Sequence, residues 1–309
     1  VPPKSPLPPR HGLQAAWVRT PDRDPSNPLP WPTMRDFLVW KLAPGPDVVD
    51  AMLARGAFVD DRGRPWTGSE PYRPHTFVWF HRELRDEPEV PGALTVLYRD
   101  ERIVVLDKPH FLSTIPRGRH VVQSAVVRAR AMLDLPELSA AHRLDRATAG
   151  VLLMTTQRRW RADYHGVFGA PTTRKTYEAL APVDPALRFP QRVSSHLVKE
   201  VGVLQARRLD LPPNAHTDVE LLEERDGWGR YLVRPLTGKT HQIRMHFLEL
   251  GIPLANDPLY PRVREVDVDD FSAPLGLLAR ELRFVDPVDG TERVFRSRRE
   301  LPWPDEPAG

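Results

Sequence analysis

Residues 141–156 read AHRLDRATAGVLLMTT, and the chemistry this stretch could do centres on Asp145. An ionised carboxylate can serve as a nucleophile or as a base, and Arg143 and Arg146 bracket it in sequence. Alone, though, Asp145 reads first as a turn residue ahead of an apolar strand. Tyr177, in RKTYEAL, sits on an expected strand, where a half-buried core tyrosine is the ordinary reading. Arg244, in GKTHQIRMH, falls mid-helix one position after core-like Ile243, near the edge of the apolar face. Its ordinary reading is a surface cation or the partner of a structural carboxylate. Taken one at a time, none of these groups announces a site.

Other chemistries fit the residues poorly. A metal site needs clustered ligands, yet His241 and His246 fall on different faces of one expected helix and His142 is isolated from both. The turn at Gly227–Trp228–Gly229 lacks the strand–turn–helix context of a nucleotide fingerprint. No GxSxG nucleophile elbow occurs. The sequence contains no cysteine, which removes disulfides, zinc–thiolate sites and a cysteine nucleophile and fits a cytoplasmic location. Neither a cofactor nor a metal is expected.

The elements that must position these groups follow from periodicity. Residues 1–30 are rich in Pro, Arg and Asp and predict a disordered or loosely draped arm. MRDFLVWKL and DVVDAMLARG repeat apolar residues at helical spacing, and FVDDRGRPW and HTFVWFHREL suggest short strands around a turn. Together they predict a small α+β module over 31–90, with EPEVPG at 87–92 as a linker. The catalytic-size remainder, 91–309, opens with two strands in LTVLYRDERIVVLDKP and a helix in VVQSAVVRARAMLD. VLLMTT reads as a buried strand, RRWRADYHGVF as a helix, and TRKTYEALAPV and GRYLVRPL as strands. THQIRMHFLELG is a helix ending at Gly251, and LARELRFVDP and ERVFRSR are the last strands. This mixture lacks a βαβ rhythm and predicts an α+β fold with a mixed, largely antiparallel sheet flanked by helices.

Composition is that of an ordinary globular protein, with 40% hydrophobic and 28% charged residues. No apolar run approaches a membrane span and no secretory leader is evident, so no membrane partner is expected. Net charge is only +3, but arginines gather at Arg117 and Arg119 with His120, at Arg158, Arg159 and Arg161, at Arg207 and Arg208, and at Arg296, Arg298 and Arg299. Arginine binds phosphate bidentately and stacks on bases, so these clusters point weakly to nucleic acid. Each could equally be a solvated surface.

Read together, the segments resemble the RluA family of RNA pseudouridine synthases. HRLDRATAGVLL at 142–153 resembles its signature, IVVLDKPHFL at 103–112 its upstream strand, and KTYEAL at 175–180 and GKTHQIRMHFLELGIPLANDPLY at 238–260 its downstream motifs. The resemblance runs from Leu94 to Leu301. It implies the family's catalytic fold, an isomerase that needs no cofactor or metal, and an RNA partner, ribosomal RNA first and transfer RNA second. By matching position it assigns Asp145 as the catalytic aspartate and Tyr177 as the tyrosine against the target base. It assigns Arg244 as the partner of the aspartate and Arg143 as the arginine that helps displace the nucleotide. Lys239 where arginine is common, Ala149 where serine is frequent, and the AlaAsnAspProLeuTyr run at 255–260 depart from the family pattern without touching those positions.

Pseudouridine formation breaks the N1–C1′ bond, turns the uracil and rejoins it through C5, with no atom gained or lost. One carboxylate must act at the sugar, by attack at C1′ or by removal of the C2′ proton. The 31–90 module resembles a degenerate S4-type RNA-binding fold, or is an extension that packs on the catalytic domain. A monomer is expected. The contrasting functional reading is a catalytically silent RNA-binding or ribosome-assembly factor, and a nucleosidase would need a second carboxylate that no motif supplies.

Overall fold

Strands β4 (Ile103–Lys108) and β6 (Ala149–Thr155) are buried along their whole lengths, and alternation between two covered faces explains the apolar runs Ile103–Leu106 and Val151–Met154 within them. Val104, Leu106, Leu152 and Met154 face one core, which they share with helix α3 (Ala125–Leu133). Ile103, Val105, Val151 and Leu153 face another, shared with Tyr164 and Val167 of helix α4 (Arg161–Val167). A sheet covered on both faces has no solvent side to demand polar residues.

The computed structural model describes residues 3–10, 12–22, 31–42, 45–84, 86–116 and 120–304. The chain divides into two compact units, Val1–Arg85 and Asp86–Gly309. In the larger, one sheet of eleven strands runs β3 (Thr95–Arg99), β4, β6, β12 (Leu277–Val285), β7 (Arg174–Pro182), β11 (Trp228–Pro235), β10 (Ala215–Arg225), β8 (Gln191–Val198) and β9 (Arg207–Leu209). Strand β13 (Glu292–Arg296) adds to β12, and β5 (Ser139–Ala140) to β6. Among the described residues, β6–β12 is the only parallel strand pair. The sheet is therefore mixed and largely antiparallel, as expected.

Strand β12 joins the two halves of the sheet, lying between β6 and β7. Gly150 makes that junction possible: its φ is +113°, and a Cβ there would stand 2.2 Å from the Ala279 carbonyl oxygen. Helix α5 (Gln242–Glu249) packs Ile243 and Phe247 with Val219, Tyr231 and Val233 of β10 and β11.

The smaller unit holds α1 (Met34–Lys41) and α2 (Pro46–Ala54) beside a ribbon of β1 (Ala16–Arg19) and β2 (Phe77–Phe80). Thr33 and Asp36 form a capping box at α1, and Arg35 bonds Asp50 of α2 bidentately through Nε and Nη2 at 2.6 and 2.7 Å. Three expectations need correction. The 1–30 stretch is not all loose arm, because Ala16–Arg19 find β2 as an antiparallel partner. FVDDRGRPW forms no strand; it is a turn closed by one Val59–Pro65 bridge, with Asp60 accepting the Arg62 and Arg64 amides. The 87–92 segment is packed rather than a free linker. Glu87 accepts the amides of Val121, Val122 and Gln123, and Val90 is buried in the α3 core.

Candidate active site

Asp145 lies in the loop from β5 to β6, and every carbonyl of that loop from Leu144 to Ala147 has a donor. Thr114 Oγ1 donates to Leu144 at 2.7 Å, the Thr148 amide to Asp145 at 3.1 Å, Lys108 Nζ to Arg146 at 3.4 Å and His110 Nδ1 to Ala147 at 2.7 Å. The Leu144 amide also donates to Thr114 Oγ1 at 3.1 Å. Lys108 is wholly buried at the end of β4, and it donates further to the carbonyls of Pro109 and Leu112 at 3.0 and 2.7 Å. Burial pushes its pKa down to about 7 against the opposing pull of Asp145. Burial likewise holds His110 down to about 4, so it faces Ala147 as a neutral imidazole carrying its proton on Nδ1.

The side chains around this loop divide sharply. His142 accepts the Leu153 amide on Nε2 at 3.0 Å and is held neutral by burial, at about 3, which ties the loop to β6. Arg146 is also structural: its guanidinium sits over Phe111 and Phe271 at 5.7 and 5.9 Å and donates to the Val268 carbonyl. Arg143 is exposed, and among the described residues no hydrogen bond or ion pair holds it.

Arg244 reaches Asp145 across 99 positions of sequence, with Nη1 at 3.5 Å from Oδ2. It is not a mid-helix residue at the edge of an apolar face. Helix α5 starts at Gln242, so Arg244 stands in its first turn and is 3% exposed. The Gln242 side chain organises that start. Its Oε1 accepts the Lys239 amide and the Thr237 hydroxyl, and its Nε2 donates to the His216 carbonyl and Thr217 Oγ1.

What makes a buried guanidinium tolerable is Asp257, which pairs with it bidentately at 2.8 and 2.5 Å. Burial alone would lower the Arg244 pKa; the bonds and charge of Asp257, with help from Asp145, hold it above the ordinary value. Asp257 in turn accepts the amides of Leu259 and Tyr260 at 2.8 and 3.1 Å. In the sequence Asp257 stands out only as part of a departure from a family pattern, and no sequence signal marks Lys108, His110 and Thr114 as supports.

Tyr177 is on β7, opposite Val233 of β11 and Ala279 of β12, and its partly buried ring packs against two cores. Burial, and then the charge of Asp145, push its hydroxyl up to about 12, so it is protonated at neutral pH. Next to it Glu178 fixes the strand by a bidentate pair with Arg280 at 2.6 and 2.9 Å. His246 is buried between Thr217 Oγ1 and Ser195 Oγ, at 2.8 and 3.1 Å.

The arginine clusters are less free than their sequence suggests. Arg159 pairs with Glu101, Arg207 with Glu200 and Arg296 with Glu281, while Arg299 bonds the β4 residue Asp107. Arg117 and Arg119 lie outside the described residues. Among the described residues no helix is long and apolar enough to cross a membrane.

Comparisons with known proteins point to one kind of protein. A family model described as RNA pseudouridylate synthase matches residues 102–249, which contain Asp145, Tyr177 and Arg244. The dual-specificity RNA pseudouridine synthase RluA of Yersinia pestis is 28% identical over 222 residues, 67% of this chain and 100% of the relative. The protein of the same name from Escherichia coli (strain K12) is 29% identical, covering 70% of this chain and 97% of its own. Human RNA pseudouridylate synthase domain containing 1 shares the fold, with a TM-score of 0.53 at 23% identity over 68% of this chain and 86% of that one. With its motifs in order on that fold, the chain is similar to the RluA RNA pseudouridine synthases over about two thirds of its length.

Proposed function

We propose that this protein isomerises specific uridines to pseudouridine in structured RNA, with ribosomal RNA as the first substrate class and transfer RNA as the second. The observation that carries the reading is the meeting of Asp145 and Arg244, 3.5 Å apart, on a loop and a helix supported by separate hydrogen-bond networks. Asp145 acts at the sugar in its ionised form, by bonding to C1′ or by taking the C2′ proton. Arg244 supplies the positive charge beside the carboxylate, and Asp257 keeps Arg244 in place.

Tyr177 stacks on the detached uracil. Because its hydroxyl is neutral at working pH, it can pass a proton but does not start as a phenolate. A uracil in helical RNA must be flipped out to reach this pocket, at a cost of a few kcal/mol. Arg143, exposed and without a hydrogen bond or ion pair among the described residues, fills the vacated space and offsets part of that cost. Surface arginines that now pair with glutamates exchange them for phosphates, so affinity falls with salt. The same reading has the protein act as a monomer in the cytoplasm, and its smaller unit, with its two helices and ribbon, assist RNA binding.

Asp145→Asn is the direct test. It should abolish pseudouridine formation while RNA affinity holds. Full activity in this variant would overturn the assignment. Pseudouridine mapping in total RNA from a strain lacking the gene, against its parent, names the target uridine.

A further inference from the structure

The proposed mechanism leaves unused a histidine beside the carboxylate. His241 precedes α5 in the left-handed region, with φ 58° and ψ 20°, a conformation uncommon for a residue with a Cβ. It makes no side-chain cap to the helix, so capping does not explain this backbone. The turn instead delivers its ring to Asp145, with Nε2 at 3.7 Å from Oδ2.

The proton on that ring can be located. Tyr260 Oη accepts the Ala206 amide at 2.7 Å, leaving its own proton for one of two acceptors. His241 Nδ1 is at 2.9 Å and the Ala206 carbonyl at 3.5 Å, so the shorter contact takes it. Nδ1 then accepts, and Nε2 carries the hydrogen that faces the carboxylate. Burial lowers the His241 pKa, against the opposing pull of Asp145, which keeps the ring neutral and its tautomer meaningful.

Arg244 and His241 approach the same oxygen of Asp145, Oδ2, from 3.5 and 3.7 Å. Oδ1 has no partner among the described residues, and the side chain is 36% exposed. We propose that His241 is a positioning residue, its tautomer set by Tyr260, that with Arg244 holds Oδ2 of Asp145 and reserves Oδ1 for the sugar. Both contacts are long in the free protein, and they shorten when RNA occupies the site. The inference rests on Asp145 being the catalytic carboxylate.

Single-turnover and steady-state kinetics on a pseudouridine-forming RNA, with RNA affinity and thermal unfolding measured alongside, test it. His241→Ala should lower kcat by about tenfold or more, with affinity changed by less than about threefold. His241→Gln, whose Nε2 reproduces the imidazole donor, should recover part of that loss, which a role in packing alone would not give. Tyr260→Phe should lower kcat in the same direction and by less. A His241→Ala kcat within about twofold of wild type, or His241→Gln no better than His241→Ala, overturns the proposal. Unchanged kcat in Tyr260→Phe overturns the tautomer assignment. Asp145→Asn in the same series separates the levels: if it is inactive while His241→Ala is normal, only the histidine role fails, and if it is active the underlying reading fails.

Discussion

The loop before β6 and the turn into α5 bring opposite charges to one point, and they are built on different plans. The Asp145 loop is held through its backbone: four successive carbonyls from Leu144 to Ala147 each accept a bond, three of them from side chains outside the loop. The carboxylate it carries stays loosely engaged, at 3.5 and 3.7 Å from its neighbours. The α5 turn is held through side chains, Gln242 fixing the backbone and Asp257 gripping Arg244 itself. The group that must move against a substrate has a rigid base and a free end, whereas the group that supplies charge is fixed at both.

That contrast can be broken most forcefully at Arg244. Arg244→Ala leaves the Asp257 carboxylate buried and unpaired, which should cost about 3–5 kcal/mol of stability as well as activity. Urea unfolding should show Arg244→Ala/Asp257→Ala regaining much of the stability and none of the activity.

Lys108→Met attacks the other plan. It orphans the carbonyls of Pro109, Leu112 and Arg146 and should cost about 2 kcal/mol net, with a larger effect on kcat than on RNA affinity. It should also change how stability depends on pH. The folded group sits at about 7 and the unfolded one near 10.5, so between these values the unfolded chain binds more protons and stability rises with pH. That rise should vanish in the variant.

Thr114→Val removes both bonds to Leu144 and should cost about 1 kcal/mol, with a modest fall in kcat. The smallest effect is expected for Tyr177→Phe, which keeps the ring. Affinity should hold and kcat should fall by no more than about tenfold; complete loss of turnover would make the hydroxyl essential.

Much of this site could be read in the sequence, because apolar periodicity and the motifs lie on the same elements. Strands β4, β6 and β7 were legible from their apolar runs, and Asp145, Tyr177 and Arg244 from the motifs around them. Strand β10 was not read, although Ala215, Thr217 and Val219 alternate as its buried face, because charged residues between them mask the pattern. The start of α5 was placed too early because the Gln242 network, not local propensity, sets it. Lys108, Asp257 and Arg244 are buried charges, and nothing local distinguishes such a residue from its exposed counterpart. Their burial is decided by partners far away in the chain.

The ribbon in the smaller unit has a practical consequence. Strand β2 spells FVWF, and β1 covers one of its edges from inside a proline-rich stretch that invites removal as dispensable. A chain shortened to begin after Arg19 would expose an apolar, uncharged edge free to pair with its own copies. Such a truncation should express as aggregate even though every residue of the proposed active site is still present.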